Sequence, residues 1–491
     1  MFKHIKDYLS KDIYPFHMPG HKRNRMFFPD SLANFDLTEI PGMDNLRAPD
    51  GIIKDMQSRI AEFYGADESY ILVNGSTAGI TAAICAVCEE GSKLYAARNG
   101  HVSMYSGMAF SGALPIYIQP EVVTGCRGDG SLDTQLQKDN CSYRRMARQE
   151  NHPPGALAGG INPNVLDDME EGAAAIIVSP TYEGFVSDIK AIADKVHSRG
   201  GILIVDEAHG AHFQFHSAFP ESALQMGADI VVQSFHKTLP ALGQLAVLHV
   251  KGPRVDTARL RFYIQAMQTT SPSYMLMAQL DYALSMLWSR PELFDMYVSR
   301  LRALTNALAP GVTQPVELAS ANLKGRYGIH DVDRGKLLFR ININQSAVEI
   351  SKILADEYRV QLEMAAGRHM LAMTSVADTD EGMQRLWAAI GAFNIRYVGA
   401  GLNARACEGK HITAHDDGSM HAPCCRSTPE QVLTPQQAAR RATEVVPWEA
   451  SAGRIAAEVI AAYPPGIAVV APGERIPKGL PKTASHIRVI K

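Results

Sequence analysis

The segment ADIVVQSFHKT, residues 228–238, predicts a buried strand that runs directly into a polar turn. Lys237 stands in that turn. Burial lowers the pKa of a lysine, and the neutral amine is a nucleophile toward aldehydes and ketones. A solvent-exposed lysine that follows a strand would give the same sequence pattern. The interpretation of Lys237 as a nucleophile therefore depends on three other segments of the chain.

The second segment is GILIVDEAHG, residues 201–210, whose apolar half predicts a parallel strand buried on both faces. Open α/β sheets bind ligands at the carboxyl ends of such strands, which is where Asp206 lies. A carboxylate there can keep a pyridine nitrogen protonated and make the ring an electron sink. A helix N-cap and a metal-binding Asp-Glu pair are the alternatives for the same residues.

Two further segments precede predicted helices. Ser76 and Thr77 lie in NGSTAG, residues 74–79, where backbone N–H groups and hydroxyls at a helix start favour an anion such as phosphate. An ordinary helix cap is the alternative. His101, in RNGH, follows the strand-like segment 93–97 and can either stack on a flat ring or cap the next helix. Amine, carboxylate, anion-binding turn and imidazole together predict a site for pyridoxal 5′-phosphate (PLP).

The chain also resembles the Orn/Lys/Arg decarboxylase family in its short bacterial form, over nearly its whole length. Beside the segments above, the resemblance is carried by FHMPGHK at 16–22, EIPGMDNL at 39–46, SPTYEG at 179–184, TSPSY at 270–274, PPGI at 464–467 and APGE at 471–474. It implies an α/β protein with the PLP-dependent transferase fold of type I, the aspartate aminotransferase fold. Two positions depart from the family pattern, Val102 for a lysine and Gly243 for threonine or serine. They concern phosphate-side hydrogen bonds and substrate choice.

The resemblance implies a role for each matching residue. Lys237 would bind PLP covalently, Asp206 would pair with the pyridine nitrogen, and His101 would stack on the ring. His209 would lie near the substrate or the 3-oxygen of the cofactor. The phosphate would be held by Ser76, Thr77, Ser234 and His236. The family forms homodimers or larger homo-oligomers with shared active sites, so Thr270 and the arm 17–22 are expected to reach a neighbouring subunit's cofactor.

The activity that the resemblance implies is decarboxylation of a basic L-amino acid, with arginine or lysine favoured and ornithine possible. Lys237 or His101 would return a proton to the α-carbon. A PLP-dependent aminotransferase or carbon–carbon lyase is an alternative on the same scaffold, and Arg368 is then a candidate for binding the α-carboxylate. A non-catalytic PLP-binding regulator is a second alternative, which the joint presence of Lys237 and Asp206 disfavours.

Composition indicates a soluble enzyme. The 491 residues include 48 Lys and Arg against 51 Asp and Glu, a net charge of −3, and no basic run that would bind nucleic acid or an anionic membrane. No apolar stretch approaches the roughly 20 residues of a spanning helix, so a cytoplasmic protein is expected. Seven cysteines, an odd count with no repeated Cys-x-x-Cys spacing, argue against a disulfide framework, and Cys85 and Cys88 are predicted to be small buried residues.

A metal site is not expected. The loose group His411, His415, His421, Cys424 and Cys425 could bind zinc, but an incidental loop is the favoured interpretation.

Four regions are predicted: an N-terminal arm at 1–67, a large PLP-binding α/β domain at 68–285, a small α+β domain at 286–400 and a C-terminal domain at 401–491. In the large domain, apolar strands alternate with helices, which predicts a mostly parallel sheet covered on both faces. Residues 122–163 interrupt this alternation as an exposed insertion. Helices are predicted at 435–442 and 450–462. Between them, Trp448 and Glu449 resemble a family segment near the substrate entrance, or form ordinary packing and helix-end contacts.

Overall fold

The structure is a computed structural model that describes residues 14–16, 44–123, 157–308, 314–319, 323–343, 345–399, 428–462, 467–480 and 482–491. Two predicted features therefore lie outside the described residues: the arm 17–22 and the His/Cys group at 411–425. Most of the predicted insertion, residues 124–156, is also outside them. Its flanks are described, and the short strands β5 (Val122–Val123) and β6 (Leu157–Ala158) pair antiparallel there.

A seven-stranded sheet forms the centre of the molecule, in the order β2-β11-β10-β9-β7-β3-β4. Its strands are β2 (Glu68–Leu72), β3 (Lys93–Ala97), β4 (Leu114–Ile118), β7 (Ala174–Val178), β9 (Ile202–Asp206), β10 (Ile230–Gln233) and β11 (Ala246–Val250). All neighbouring pairs are parallel except the two that involve β11. The predicted α/β fold with a mostly parallel sheet is confirmed, and every strand lies within two residues of its expected position.

Helices cover both faces of this sheet because alternate residues of each buried strand point to opposite sides. Leu203 and Val205 of β9 enter one apolar core, and Ile204 enters the other. The covering helices are α1 (Ile52–Tyr64), α2 (Gly75–Val87), α3 (Val102–Ser111), α4 (Ile189–Ser198), the single turn α5 (Phe235–Thr238) and α6 (Thr257–Met267). Cys85 and Cys88 are buried free thiols, as predicted.

A smaller α+β unit follows the large sheet. Two long helices, α7 (Tyr274–Ser289) and α8 (Glu292–Ala307), lead into it, and α7 runs across the predicted boundary at residue 286. Its four-stranded sheet has the order β12-β14-β17-β16. The strands are β12 (Val316–Leu318), β14 (Lys336–Ile341), β16 (Met364–Ala366) and β17 (His369–Met373), and the helices are α9 (Ala347–Tyr358) and α10 (Asp380–Gly399).

Two short pairings connect distant parts of the chain. Strand β8 (Phe185–Val186) of the large domain pairs antiparallel with β13 (Asp331–Val332) of the smaller unit. The strand β1 (Tyr14–Phe16) of the N-terminal arm pairs parallel with β15 (Val360–Leu362) of the same chain. Helix α1, also in the predicted arm, packs on the large domain through Ile60 and Tyr64.

The C-terminal unit contains one prediction that is wrong. Residues 450–462 were expected to form a helix, but a 3₁₀ turn at Trp448–Ala450 is followed by turns and by β19 (Ile460–Ala462). Gly453 has a φ of 83°, a left-handed conformation that ends any helix there. Strand β19 instead pairs with β20 (Ile467–Val470), so its apolar residues are buried through sheet pairing.

The other helix predicted in this unit, at 435–442, is present. Helix α11 (Pro435–Ala439) is shorter than predicted and begins with a capping box in which Thr434 and Gln437 bond each other's backbone N–H. The strands β18 (Thr443–Pro447) and β21 (His486–Ile490) pair antiparallel. No helix among the described residues is both long and apolar enough to cross a membrane.

A buried ion pair attaches the C-terminal unit to the large domain. Arg98, directly after β3, donates from Nη2 to Glu474 Oε2 at 2.9 Å, and both side chains are almost fully inaccessible to solvent. The same guanidinium donates to Tyr105 Oη at 2.6 Å and to the carbonyls of Ala468 and Val469 at 3.2 and 3.1 Å. Both terminal nitrogens of the guanidinium are thereby hydrogen-bonded, and the loop after β3 is held against β20.

Removal of Glu474 is expected to destabilise the protein strongly. Glu474→Ala leaves the Arg98 guanidinium buried without its counter-ion, which costs about 3–5 kcal/mol of unfolding free energy. Denaturant-induced unfolding, followed by tryptophan fluorescence and circular dichroism, measures this loss. The control is Glu449→Ala, which removes an exposed ion pair with Lys482 and is expected to leave the free energy of unfolding almost unchanged. Equal losses in the two variants would contradict the structural role given to the buried pair.

Candidate active site

The predicted site residues meet at the carboxyl end of the central sheet. Asp206 is the last residue of β9 and is in register with Val232 of the parallel neighbour β10. Lys237 lies in α5, four residues beyond the end of β10. Ser76 lies in the first turn of α2, after β2, and His101 precedes α3, after β3. Parallel strands thus place four groups from separate segments at one edge.

Lys237 is partly buried, and its Nζ lies 3.1 Å from Nε2 of His209. Burial lowers the pKa of Lys237, and the negative charges of Asp206 and Glu363 partly oppose this. The amine therefore becomes neutral at a lower pH than a lysine in water. A neutral amine at this position is suited to attack a carbonyl carbon.

Asp206 is buried, and its Oδ1 accepts a hydrogen bond from the backbone N–H of Ala208 at 3.1 Å. Burial raises the pKa of this carboxyl, while the positive charge of Lys237 and the Ala208 N–H oppose the rise. The carboxylate thus depends on a cationic neighbour for its charged form. Lys237 is that neighbour here, and a protonated pyridine nitrogen would serve equally well.

The anion-binding turn is assembled from two distant segments. The Ser234 hydroxyl donates to the Ser76 hydroxyl at 2.8 Å, at the N-terminal end of α2. Gly75, at the start of that helix, has a φ of 75°, which a residue with a side chain adopts only with strain. Thr77 is exposed beside it, with its hydroxyl open to a ligand. Hydroxyls and free N–H groups at the positive end of a helix dipole fit a phosphate.

The two remaining predicted histidines are both uncharged at neutral pH. His101 accepts a hydrogen bond at Nδ1 from the Ser103 N–H at 3.2 Å, so the capping alternative is realised, and stacking on a ring stays a prediction. Burial and the charge of Lys237 lower the pKa of His101 to about 4. His236 has Nδ1 2.9 Å from the carbonyl of Leu245, which assigns its proton to Nδ1 and leaves Nε2 as an acceptor.

The surroundings of the other predicted residues do not indicate a role in the site. Thr270 is exposed on the segment before α7. Arg368 is partly buried and donates from Nε to the Ile341 carbonyl at 3.2 Å. Trp448 is buried in the core of the C-terminal unit, which is the packing role given as its alternative. Glu449 pairs with Lys482 and does not carry the N-terminal charge of a helix, because residues 450–462 form no α-helix.

Sequence reasoning missed four buried or half-buried groups that join the site. Lys336, the first residue of β14, has its Nζ 2.7 Å from Nδ1 of His209, on the opposite side of the ring from Lys237. Tyr182 packs edge-on against His209 and donates a hydrogen bond to Glu363. Glu183 is buried next to Tyr182. The available signal was a lysine at the start of the apolar strand KLLFRI, which is easily taken as a solvent-facing strand end.

The chemical groups of this site complement those of PLP. The cofactor has an aldehyde, a pyridine nitrogen and a phosphate, and the site offers an amine, a buried carboxylate and a helix start with two hydroxyls. Among the described residues, no group of three or more His, Cys, Asp or Glu side chains is placed to bind a metal.

Comparison with known families gives two matches on this chain. The model described as Orn/Lys/Arg decarboxylase, major domain, matches residues 1–306. The model described as Orn/Lys/Arg decarboxylase, C-terminal domain, matches residues 419–491. The first match alone covers more than half of the chain and includes Lys237, Asp206 and His101.

Individual proteins agree with these matches. Arginine decarboxylase of Halalkalibacterium halodurans is 30% identical over 97% of this chain and 90% of its own length. The solved structure of a lysine decarboxylase from Francisella novicida matches with a TM-score of 0.69 and 19% identity, over 95% of this chain and 76% of that one. Serine palmitoyltransferase of S. paucimobilis, solved with bound PLP, matches with a TM-score of 0.53 and 14% identity, over 79% and 88% of the two chains. The two structures show the fold.

Covalent trapping is expected to distinguish the two lysines on either side of His209. Incubation with PLP followed by borohydride reduction should modify Lys237 rather than Lys336, because only Lys237 lies at the edge that carries Asp206 and the anion-binding turn. Peptide mass spectrometry locates the modification. Lys237→Ala should remove it and Lys336→Met should not; a label on Lys336 in the unsubstituted protein would contradict the site.

Proposed function

The chain belongs to the Orn/Lys/Arg decarboxylase family, and on that basis we propose that it is a PLP-dependent enzyme that removes the α-carboxylate of a basic L-amino acid as carbon dioxide. The observation that carries this proposal is the placement of the Lys237 amine, the buried Asp206 carboxylate and the anion-binding turn at one sheet edge. Family membership supports the reaction type, and the geometry supports the assignment of these residues.

When bound, PLP supplies a protonated pyridine ring that accepts the electron pair left behind as carbon dioxide departs. Asp206 would maintain the proton on that ring nitrogen. Burial raises the pKa of Asp206, so its carboxylate is stabilised only by a cationic partner. A cation held opposite it by covalent attachment to Lys237 is such a partner, and the charge pair would form in a site of low polarity, where it is strongest.

Lys237 would perform two tasks in sequence. Its neutral amine would first hold the aldehyde of the cofactor and then be displaced by the amine of the substrate. Once free, the amine can carry a proton and deliver it to the α-carbon. Its lowered pKa suits the first task, because the neutral amine is then available at a lower pH than for a lysine in water.

Ser76, Thr77, Ser234 and His236 would hold the phosphate. Hydroxyl and N–H donors at the start of α2 would stabilise its charge, and His236, whose Nδ1–H is bonded to the Leu245 carbonyl, would donate to it from Nε2 only in its protonated form. This anchoring sets the position of the reacting atoms, and orientation decides which bond to the α-carbon is broken. His101, held by its cap to α3, would cover one face of the ring and exclude water.

Arginine is our first choice of substrate and lysine the second. Arginine decarboxylases of Halalkalibacterium halodurans and Bacillus subtilis are 30% and 28% identical to the chain over 97% of its length, whereas a lysine decarboxylase of Pseudomonas aeruginosa is 23% identical. Val102, where the family usually has lysine, and Gly243, where it usually has threonine or serine, concern phosphate-side hydrogen bonds and substrate choice.

A homodimer with shared active sites is also part of the proposal. Thr270 is exposed on its own chain, and Phe262 on the nearby helix α6 is 64% exposed, a large apolar side chain that a partner subunit would cover. Thr270 would then contact the cofactor of the neighbouring subunit.

Product analysis tests the reaction. Purified protein with PLP is incubated with arginine, lysine and ornithine, and the expected result is release of carbon dioxide and the corresponding amine without a keto-acid acceptor. Conversion that requires a keto acid would favour an aminotransferase. PLP capture without conversion of any of the three would favour a regulator.

Substitution of the two central residues tests their roles. Lys237→Ala is expected to abolish turnover, and Asp206→Asn to lower kcat by about 10²–10³-fold, because a neutral amide no longer stabilises the charge that develops on the ring. Lys195→Ala and Asp167→Ala, which remove an exposed ion pair of the same residue types, are the controls. Rates close to the unsubstituted protein in either central variant, with the fold intact by circular dichroism, would contradict the assigned roles.

A further inference from the structure

A second lysine is connected to the proposed cofactor lysine through one imidazole ring. Nδ1 of His209 lies 2.7 Å from Nζ of Lys336, and Nε2 of the same ring lies 3.1 Å from Nζ of Lys237. The three groups come from β14, the loop after β9 and α5, so the arrangement is a product of the tertiary fold. The roles proposed above do not use Lys336.

Lys336 is 1% exposed and held firmly. Its stem passes so close to the backbone of Gly184 that a Cβ there would lie 2.7 Å from the Cβ and Cγ of Lys336. A lysine is normally excluded from such a position because desolvation of its charge is costly. Its retention in the core of the site therefore requires partners.

Both amines are faced by ionisable groups on the elements that pack around them. Lys336 faces His209, Tyr182, Glu183, Asp333, Glu363 and Lys237. Lys237 faces His209, Asp206, Glu363, His101 and His236. The carboxylates favour a positive charge in this cluster, and the proximity of the two amines disfavours two charges side by side.

The His209 ring between the two amines limits how many protons the three groups can carry. Burial and the positive charges of Lys237 and Lys336 lower the pKa of His209 well below its ordinary value, so the imidazole is neutral. A neutral imidazole has one N–H donor and one acceptor nitrogen. It cannot accept from an ammonium group at both nitrogens at once. Both short contacts are satisfied when one amine is charged and the other is neutral.

We propose that Lys336 exchanges one proton with Lys237 through His209, so that the two amines share a single positive charge and Lys237 becomes neutral when a carbonyl group enters the site. Lys336 is then a positioning residue for the proton, since it acts on the Lys237 amine through His209. This inference rests on the proposed PLP-dependent function and adds a proton acceptor to it.

The transfer is balanced. A proton passes from Lys237 Nζ to His209 Nε2 while the proton on Nδ1 passes to the neutral Lys336 Nζ. Lys237 is left as a neutral amine, His209 remains neutral with its proton on the other nitrogen, and Lys336 becomes an ammonium ion. The reverse movement returns a proton to Lys237 when the protein must deliver one. Burial lowers the pKa of Lys336 to about 7, although Asp333 and Glu363 raise it, so both of its forms are accessible at neutral pH.

The rate of PLP capture by the cofactor-free protein tests the shared charge. Capture requires neutral Lys237, so its rate rises with pH through the pKa of that amine and can be followed by absorbance after rapid mixing. In the unsubstituted protein the midpoint is expected at least about one pH unit below the ordinary lysine value of about 10.4. A midpoint at the ordinary value would overturn the proposal without any variant.

Two substitutions separate charge from packing. Lys336→Met removes the second amine and is expected to move the midpoint up by about one unit, which slows capture at pH 7.5 about tenfold. Lys336→Arg keeps a permanent charge and is expected to hold the midpoint at or below that of the unsubstituted protein. Because arginine does not release its proton, the same variant should lower kcat about tenfold or more. Lys195→Met, on the surface, is the control.

The outcomes are distinguishable. An unchanged midpoint in folded Lys336→Met overturns the shared charge, and so does an equal rise in both variants, since that would reflect packing alone. Full turnover in Lys336→Arg overturns the proton exchange. Absence of capture by the unsubstituted protein at every pH, or capture on another lysine by borohydride trapping, would instead contradict the proposed function.

Discussion

The electrostatic pairing of Lys237 with Asp206 is the constraint on which the site depends. Each group is unfavourable alone, because burial lowers the pKa of the amine and raises that of the carboxyl. Each also opposes the shift of the other. The charged forms of Lys237 and Asp206 therefore stabilise each other. A ligand that changes the charge of one group shifts the pKa of the other, and this coupling suits a cofactor site.

The fold creates this pairing through strand order. Adjacent parallel strands β9 and β10 deliver Asp206 and the Lys237 turn to one edge, and β2 and β3 deliver the starts of α2 and α3 beside them. The smaller unit adds Lys336 and Glu363 from the opposite side. The candidate site residues thus come from strand ends, helix starts and connecting loops of two units that pack together.

Much of the large domain was predictable because its signals are local. The run GILIV is apolar throughout, and the strand forms at Ile202–Asp206. Lys336 was not predictable as a site residue, because its contact with His209 depends on how two units pack. The helix expected at 450–462 failed for the same reason: pairing of β19 with β20 outweighed a helical propensity that only the local sequence suggested. Pattern analysis thus identified Lys237 as the candidate cofactor lysine but did not identify the residues that pack behind it.

The attachment of the C-terminal unit has an evolutionary consequence. Arg98 lies three residues before His101 in the same loop, and its counter-ion Glu474 is supplied by the far end of the chain. A gene fusion or recombination that replaced this unit with another fold would leave the Arg98 guanidinium buried in the large domain without a counter-ion. The unit therefore cannot be exchanged as an independent module, and the two parts are constrained to diverge together.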